Sequence, residues 1–99
     1  MIHVVWEFHV KPERRREFET HYGSEGTWVA LFRRGDGYRE SILLHDREAP
    51  DRYVTIDVWS DSESFRAFRE RHAREYEEID RRCEALTDQE RCLGHFEVV

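Results

Sequence analysis

Among the residues able to move a proton, His72 and Tyr76 stand out, because they lie four apart where the surrounding pattern is helical. Four residues make about one helical turn, so the spacing places both side chains on one wall of any space beside the helix. An imidazole with an ordinary pKa of about 6.5 can accept a proton at neutral pH, and a phenol can donate to an oxyanion. Trp6 and Phe8 on the first strand, Trp28 on a short helical turn, and Phe65 and Phe68 would complete an aromatic, mostly dry pocket. Such a pocket suits a flat ring. The same residues also read as core, since a buried His or Tyr commonly satisfies its polar tip with backbone or water.

The element carrying the pair is expected to be one long amphipathic helix from Ser60 to Leu86. Phe65, Phe68, His72, Tyr76, Ile79, Cys83 and Leu86 recur every three or four residues, and arginines and glutamates fill the positions between them. Ser60-Asp61-Ser62-Glu63 has the capping-box form that starts a helix. Opposite it, Ile2 to Val10 alternates as a strand, with Ile2, Val4, Trp6, Phe8 and Val10 on one face. Pro12 fits the first turn of a helix that runs through Phe18 and Tyr22 and stops at Gly23. Thr27 is placed to cap a turn from Trp28 to Phe32. Strands follow from Tyr38 to about Asp46 and from Arg52 to Trp59, joined by Ala49-Pro50-Asp51 as an antiparallel hairpin. Thr87-Asp88-Gln89-Glu90 repeats the capping pattern and predicts one more turn before a last strand, Arg91 to Val99, with Gly94 marking a bulge or a close approach by a neighbour.

The order β-α-β-β-α-β is that of an α+β ferredoxin-like domain with a four-stranded antiparallel sheet and helices on one face. The 99 residues read as a single domain, 1–99, with no linker or repeat. Apolar residues on the helix-free face, Val5 and Leu43 among them, and the aromatic share of 13% favour a second copy as cover.

A net charge of −6 argues against non-specific nucleic-acid binding, which needs clustered positive charge. Arg14-Arg15-Arg16 is flanked by acids and reads as a solvated helix face, as does His21. Cys83 and Cys92 lack the spacing of a metal pair or a disulfide framework. His3 and His9 share a strand face but lie roughly 20 Å apart at about 3.3 Å per residue, and neither they nor His45 and His95 complete a metal set. Asp57, Asp61 and Glu63 read as ordinary complements to a helix start. No apolar run approaches membrane-spanning length, and the expected location is cytoplasmic.

Four stretches carry a resemblance: VVWEFHVKPERRREFETHYG, GTWVALFRRGDGY, YVTIDVWSDSESFRAFRERH and LTDQERCLGHFEV. Across nearly the whole chain the sequence resembles the antibiotic-biosynthesis-monooxygenase-like proteins of the dimeric α/β-barrel superfamily. The resemblance implies a homodimer whose sheets close into a barrel, with a pocket between each sheet and its helices. Catalytic relatives include cofactor-independent oxygenases of aromatic polyketides, small quinol oxygenases and haem-degrading enzymes. The haem-degrading pattern departs at Trp6, Phe68 and Glu78, where those relatives place Asn, Trp and the haem-ligating His; the polyketide-oxygenase polar set does not map cleanly. The resemblance implies a cofactor-independent monooxygenase acting on a small phenol or quinol, with no bound cofactor or metal; His72 as base and Tyr76 beside it are the candidates that the helix spacing offers for it. The alternative is a non-catalytic homodimer that binds a small ligand.

Overall fold

A computed structural model describes all of residues 1–99. Strand β1 (Ile2–Val10) leads through a 3-10 turn at Pro12–Arg14 into α1 (Arg15–Tyr22), and α2 (Thr27–Phe32) follows. Strands β2 (Tyr38–His45) and β3 (Arg52–Trp59) form the hairpin. Helices α3 (Ser62–Arg71) and α4 (Ala73–Cys83), a 3-10 turn at Glu84–Leu86 and β4 (Thr87–Phe96) complete the chain. The four strands make one antiparallel sheet in the order β2-β3-β1-β4. This is the expected ferredoxin-like α+β arrangement.

Strand alternation gives the sheet two different faces. The inner face carries Ile2, Val4, Trp6, Phe8 and Val10 of β1 beside Tyr53, Thr55, Asp57 and Trp59 of β3, and the helices pack against it. The outer face bears no helix. There Glu7 bridges two strands, accepting from Arg52 at 2.6 Å and from Arg91 at 3.1 Å, while Ile42, Leu44 and Phe96 are 40–50% exposed.

The expected long helix is broken. His72 leaves helical geometry (φ −113°, ψ 29°) although its amide still bonds Phe68 and its carbonyl still accepts from Tyr76. The two halves meet different partners: Phe65 and Phe68 lie on Trp59, whereas Tyr76 lies on Trp28. All seven predicted inward residues are nonetheless buried or half-buried.

Five local expectations are corrected. Leu43, expected on the helix-free face, pairs with the inward Thr55 and packs against the core. Asp61, not Ser60, caps α3 by accepting from the Ser64 amide at 2.7 Å, and Ser60 Oγ instead accepts from Arg39. Gly26 occupies the cap of α2, where a Cβ would lie 2.6–2.8 Å from the backbone of Thr20 and His21. Thr27 meets His21 Nδ1 at 2.8 Å, so His21 is half-buried rather than solvated. Finally, Thr87–Glu90 forms no turn. It starts β4, because the free edge of β1 takes Thr87, Gln89 and Glu90 as partners of Val10, His9 and Phe8. The bulge at Gly94 is present: its φ of +143° is open to glycine, and the pairing slips between Gly94 and Cys92.

Candidate functional site

Between the inner sheet face and the helices lies a small cleft, open to solvent, with about 50 Å³ of room for water-sized molecules. Trp6, Phe8, Tyr22, Trp28, Phe32 and Tyr76 supply its aromatic walls. The spacing of each element explains the gathering. Trp6 and Phe8 are consecutive inward positions of β1, with ring centroids 6.2 Å apart. Tyr22 closes α1 beside Phe8 at 4.9 Å, and Trp28 and Phe32 share one face of α2. Tyr76 on α4 meets Trp28 edge-on at 4.8 Å.

The polar lining comes from Ser41, Thr55 and Asp57 on the sheet and from Asp80 and Glu90. Asp57 is the inward residue of β3 paired with Val4 on one side and Ser41 on the other. Burial pushes its carboxyl up from 3.8 to about 6, opposed by the Ser41 hydroxyl, which donates to Oδ1 at 2.6 Å. Tyr38 in turn donates to Ser41 Oγ at 2.9 Å. This chain fixes the carboxylate and leaves Oδ2 without a hydrogen bond from the protein. A carboxyl so tuned is suited to accept a proton near neutral pH, because a group with a pKa close to the working pH transfers protons best. Burial also raises the Tyr76 and Tyr22 phenols and keeps both neutral. The Trp28 indole N–H is buried against the Tyr22 hydroxyl and the Cys83 thiol, short of good hydrogen-bond geometry.

Four residues singled out in the sequence therefore meet here: Trp6, Phe8, Trp28 and Tyr76. His72, Phe65 and Phe68 do not line this cleft. Phe65 and Phe68 pack on Trp59 with centroids 5.6 and 4.9 Å away, and His72 packs on Phe68 at 5.2 Å. The His72 Nδ1 lies 3.9 Å from Glu75. The helix break at His72 separates it from Tyr76. Conversely, Asp57, which reads in the sequence as a helix-start acid, lies in the cleft. The alternation Tyr53, Thr55, Asp57, Trp59 was the signal, since it puts a carboxylate on the strand's inward face.

An α+β sheet with an aromatic cleft under its helices defines the class, and comparison with known proteins agrees. The antibiotic biosynthesis monooxygenase family model matches residues 1–79. The chain belongs to that family. Its fold superposes on the cofactor-independent oxygenase SnoaB of Streptomyces nogalater with a TM-score of 0.81 and 26% identity, covering 99% of this chain and 92% of that one. A Bordetella bronchiseptica protein described as an antibiotic biosynthesis monooxygenase candidate shares the fold at TM-score 0.82 and 22% identity, covering 99% and 96%. A conserved protein of Methanosarcina mazei does so at 0.74 and 19%, covering 99% and 92%. No curated protein matches the chain in sequence. No helix is long and apolar enough to cross a membrane.

Proposed function

We propose that the protein is a cofactor-independent monooxygenase of a small electron-rich phenol or quinol, bound flat among Trp6, Phe8, Trp28 and Tyr76. The observation that carries this reading is a carboxylate with one oxygen free of hydrogen bonds, Asp57, raised to about 6 inside an aromatic-walled cleft. Asp57 Oδ2 takes the phenolic proton, the electron-rich anion adds dioxygen at a ring carbon that bears hydrogen, and the resulting hydroperoxide loses water to leave a carbonyl, so that the substrate itself supplies the electrons. The Tyr76 hydroxyl, neutral and on the facing wall, donates to the developing oxyanion. The role expected of His72 thus passes to Asp57. The kinship with an oxygenase that works without cofactor supports the assignment.

The test is oxygen uptake on a panel of dihydroquinones and anthrones. The parent is expected to consume oxygen, and Asp57→Asn, which keeps shape and the Ser41 bond, to lose about 10²–10⁴-fold in rate. Ligand binding without uptake in the parent would leave the binding module as the better reading.

We also propose that the helix-free face pairs with a second copy, as the family implies. Ile42, Leu44 and Phe96 are apolar and exposed there, and covering them removes apolar area from water. Light scattering should show a 24.2 kDa particle, twice the 12.1 kDa chain, and Leu44→Glu should shift it toward the monomer.

A further inference from the structure

The two oxygens of Asp57 have different surroundings. Oδ2 is left for the cleft, which Asp57 lines, whereas Oδ1 accepts from Ser41 at 2.6 Å. Ser41 Oγ in turn accepts from the Tyr38 hydroxyl at 2.9 Å. Ser41 lines the cleft and Tyr38 does not. Tyr38 opens β2, an edge strand of the sheet, where it is half-buried and keeps a solvent-facing part. A row of oxygens therefore runs from the floor of the cleft to the edge of the sheet.

An irregularity in β2 builds that row. In a regular strand, residues three apart point to opposite faces. Here the pairing of β2 with β3 slips between Tyr38 and Glu40, so Tyr38 lies opposite Trp59 and Ser41 opposite Asp57, both on the inner face. Without the bulge, the Tyr38 hydroxyl would point away from Ser41. Anchoring the carboxylate needs Ser41 alone. Packing accounts for the Tyr38 ring, which lies 5.7 Å from Phe32 and 5.3 Å from Trp59, but not for the bond its hydroxyl makes.

We infer that Tyr38 and Ser41 form a proton relay, through which Asp57 exchanges protons with solvent while a ring occupies the cleft. This rests on the aromatic-ligand reading above and adds the route by which its base reaches water. A ligand against Oδ2 shuts off the cleft side of the carboxyl, where the other titratable neighbours, Tyr76 and Asp80 of α4 and Glu90 of β4, also lie. Only the Ser41 side leads away from the ligand. A carboxyl can take a proton on one oxygen as it releases one from the other, and a hydroxyl both donates and accepts on its single oxygen. No alkoxide or phenolate has to form on the way. In the arrangement seen, both hydroxyls donate inward. One transfer along each bond moves the Tyr38 proton to Ser41 and the Ser41 proton to Oδ1, and water refills Tyr38. Outward transfer uses the same bonds with both hydroxyls turned round. Oδ1 then gives its proton to Ser41, Ser41 to Tyr38 and Tyr38 to water, as Oδ2 takes the proton of the phenol.

4-Nitrophenol is the probe, because its anion absorbs in the visible and its neutral form does not. With protein in excess, the bound complex is taken in a stopped-flow instrument from about pH 7 to about pH 9. In the parent, anion absorbance should rise at least about tenfold faster than the ligand leaves, which displacement by excess 4-ethylphenol times separately. Tyr38→Phe keeps the ring and its packing but removes the outer link, and Ser41→Ala cuts the inner one. Each should slow the rise about tenfold or more, to the rate of ligand release. Ser41→Thr restores a hydroxyl and should recover the fast rise. A merely structural role would shift the affinity or the final proportion of anion and leave the fast rise in place. A rise in the parent no faster than ligand release would overturn the inference and leave the aromatic-ligand reading standing. So would a fast rise that survives both Tyr38→Phe and Ser41→Ala. Absence of 4-nitrophenol binding by the parent would overturn both.

Discussion

Two aromatic clusters lie under the same sheet, and they differ in what sits between the rings. Around Trp59, the rings of Phe32, Tyr38, Phe65 and Phe68 approach to 4.9–5.9 Å, and Trp59 has no exposed surface. Gly35 completes the seal: a Cβ there would lie 2.7 Å from Phe68 and 3.0 Å from Trp59. Around Trp28 the rings approach just as closely, yet they enclose a cleft with a carboxylate in it. Aromatic content is therefore no guide to a site. What separates site from core is empty space next to a polar group held in an unusual state.

That contrast yields graded expectations. The largest effect on stability should come from the sealed cluster. Phe68→Ala opens a cavity beside Trp59 and should cost about 3–5 kcal/mol in urea unfolding.

An intermediate effect belongs to the cleft and depends on pH. The folded Asp57 carboxyl, raised from 3.8 to about 6, holds its proton more tightly than in the unfolded chain. Stability is therefore greatest below about pH 3.8 in this contribution and falls as the pH rises to about 6, then levels off. Asp57→Asn should remove that descent and be more stable at pH 7.5 by on the order of 1–3 kcal/mol. In the parent, oxygen uptake should rise through about pH 6 and then plateau as the base ionises. A mutation that raises stability while abolishing turnover would mark Asp57 as a functional group held at a cost to the fold.

The smallest effect is expected at His72. It packs on Phe68, away from the cleft, so His72→Phe should change oxygen uptake by no more than about twofold and melting only slightly. A loss as large as that of Asp57→Asn would erase the distinction between the clusters.

How far the sequence could anticipate this depended on the kind of signal. Periodicity showed the strands and the buried helical stripe, because burial imposes a period of two or of about 3.6 whatever the detailed packing. The break at His72 left no mark, since neither Gly nor Pro stands there and the ladder bonds on both sides persist. It follows from two ends of one stripe docking on different neighbours, Trp59 and Trp28, and that is tertiary information. Thr87–Glu90 misled in the opposite way: a good helix-start pattern yielded to the unpaired edge of β1. Four of the six aromatic wall residues were legible, Trp6, Phe8, Trp28 and Tyr76. Asp57 was visible as a residue but not as a site, because its meaning lies in which neighbours surround it.

The three tryptophans also fall on the two sides of this division, and that gives the molecule an optical property. Trp6 and Trp28 line the cleft, while Trp59 is sealed at 0% exposure. Ultraviolet emission from the chain accordingly combines two emitters that a ligand in the cleft would touch with one that it would not. Occupancy of the cleft dims only the first pair, and the third serves as a built-in reference against which the change is read without any attached dye.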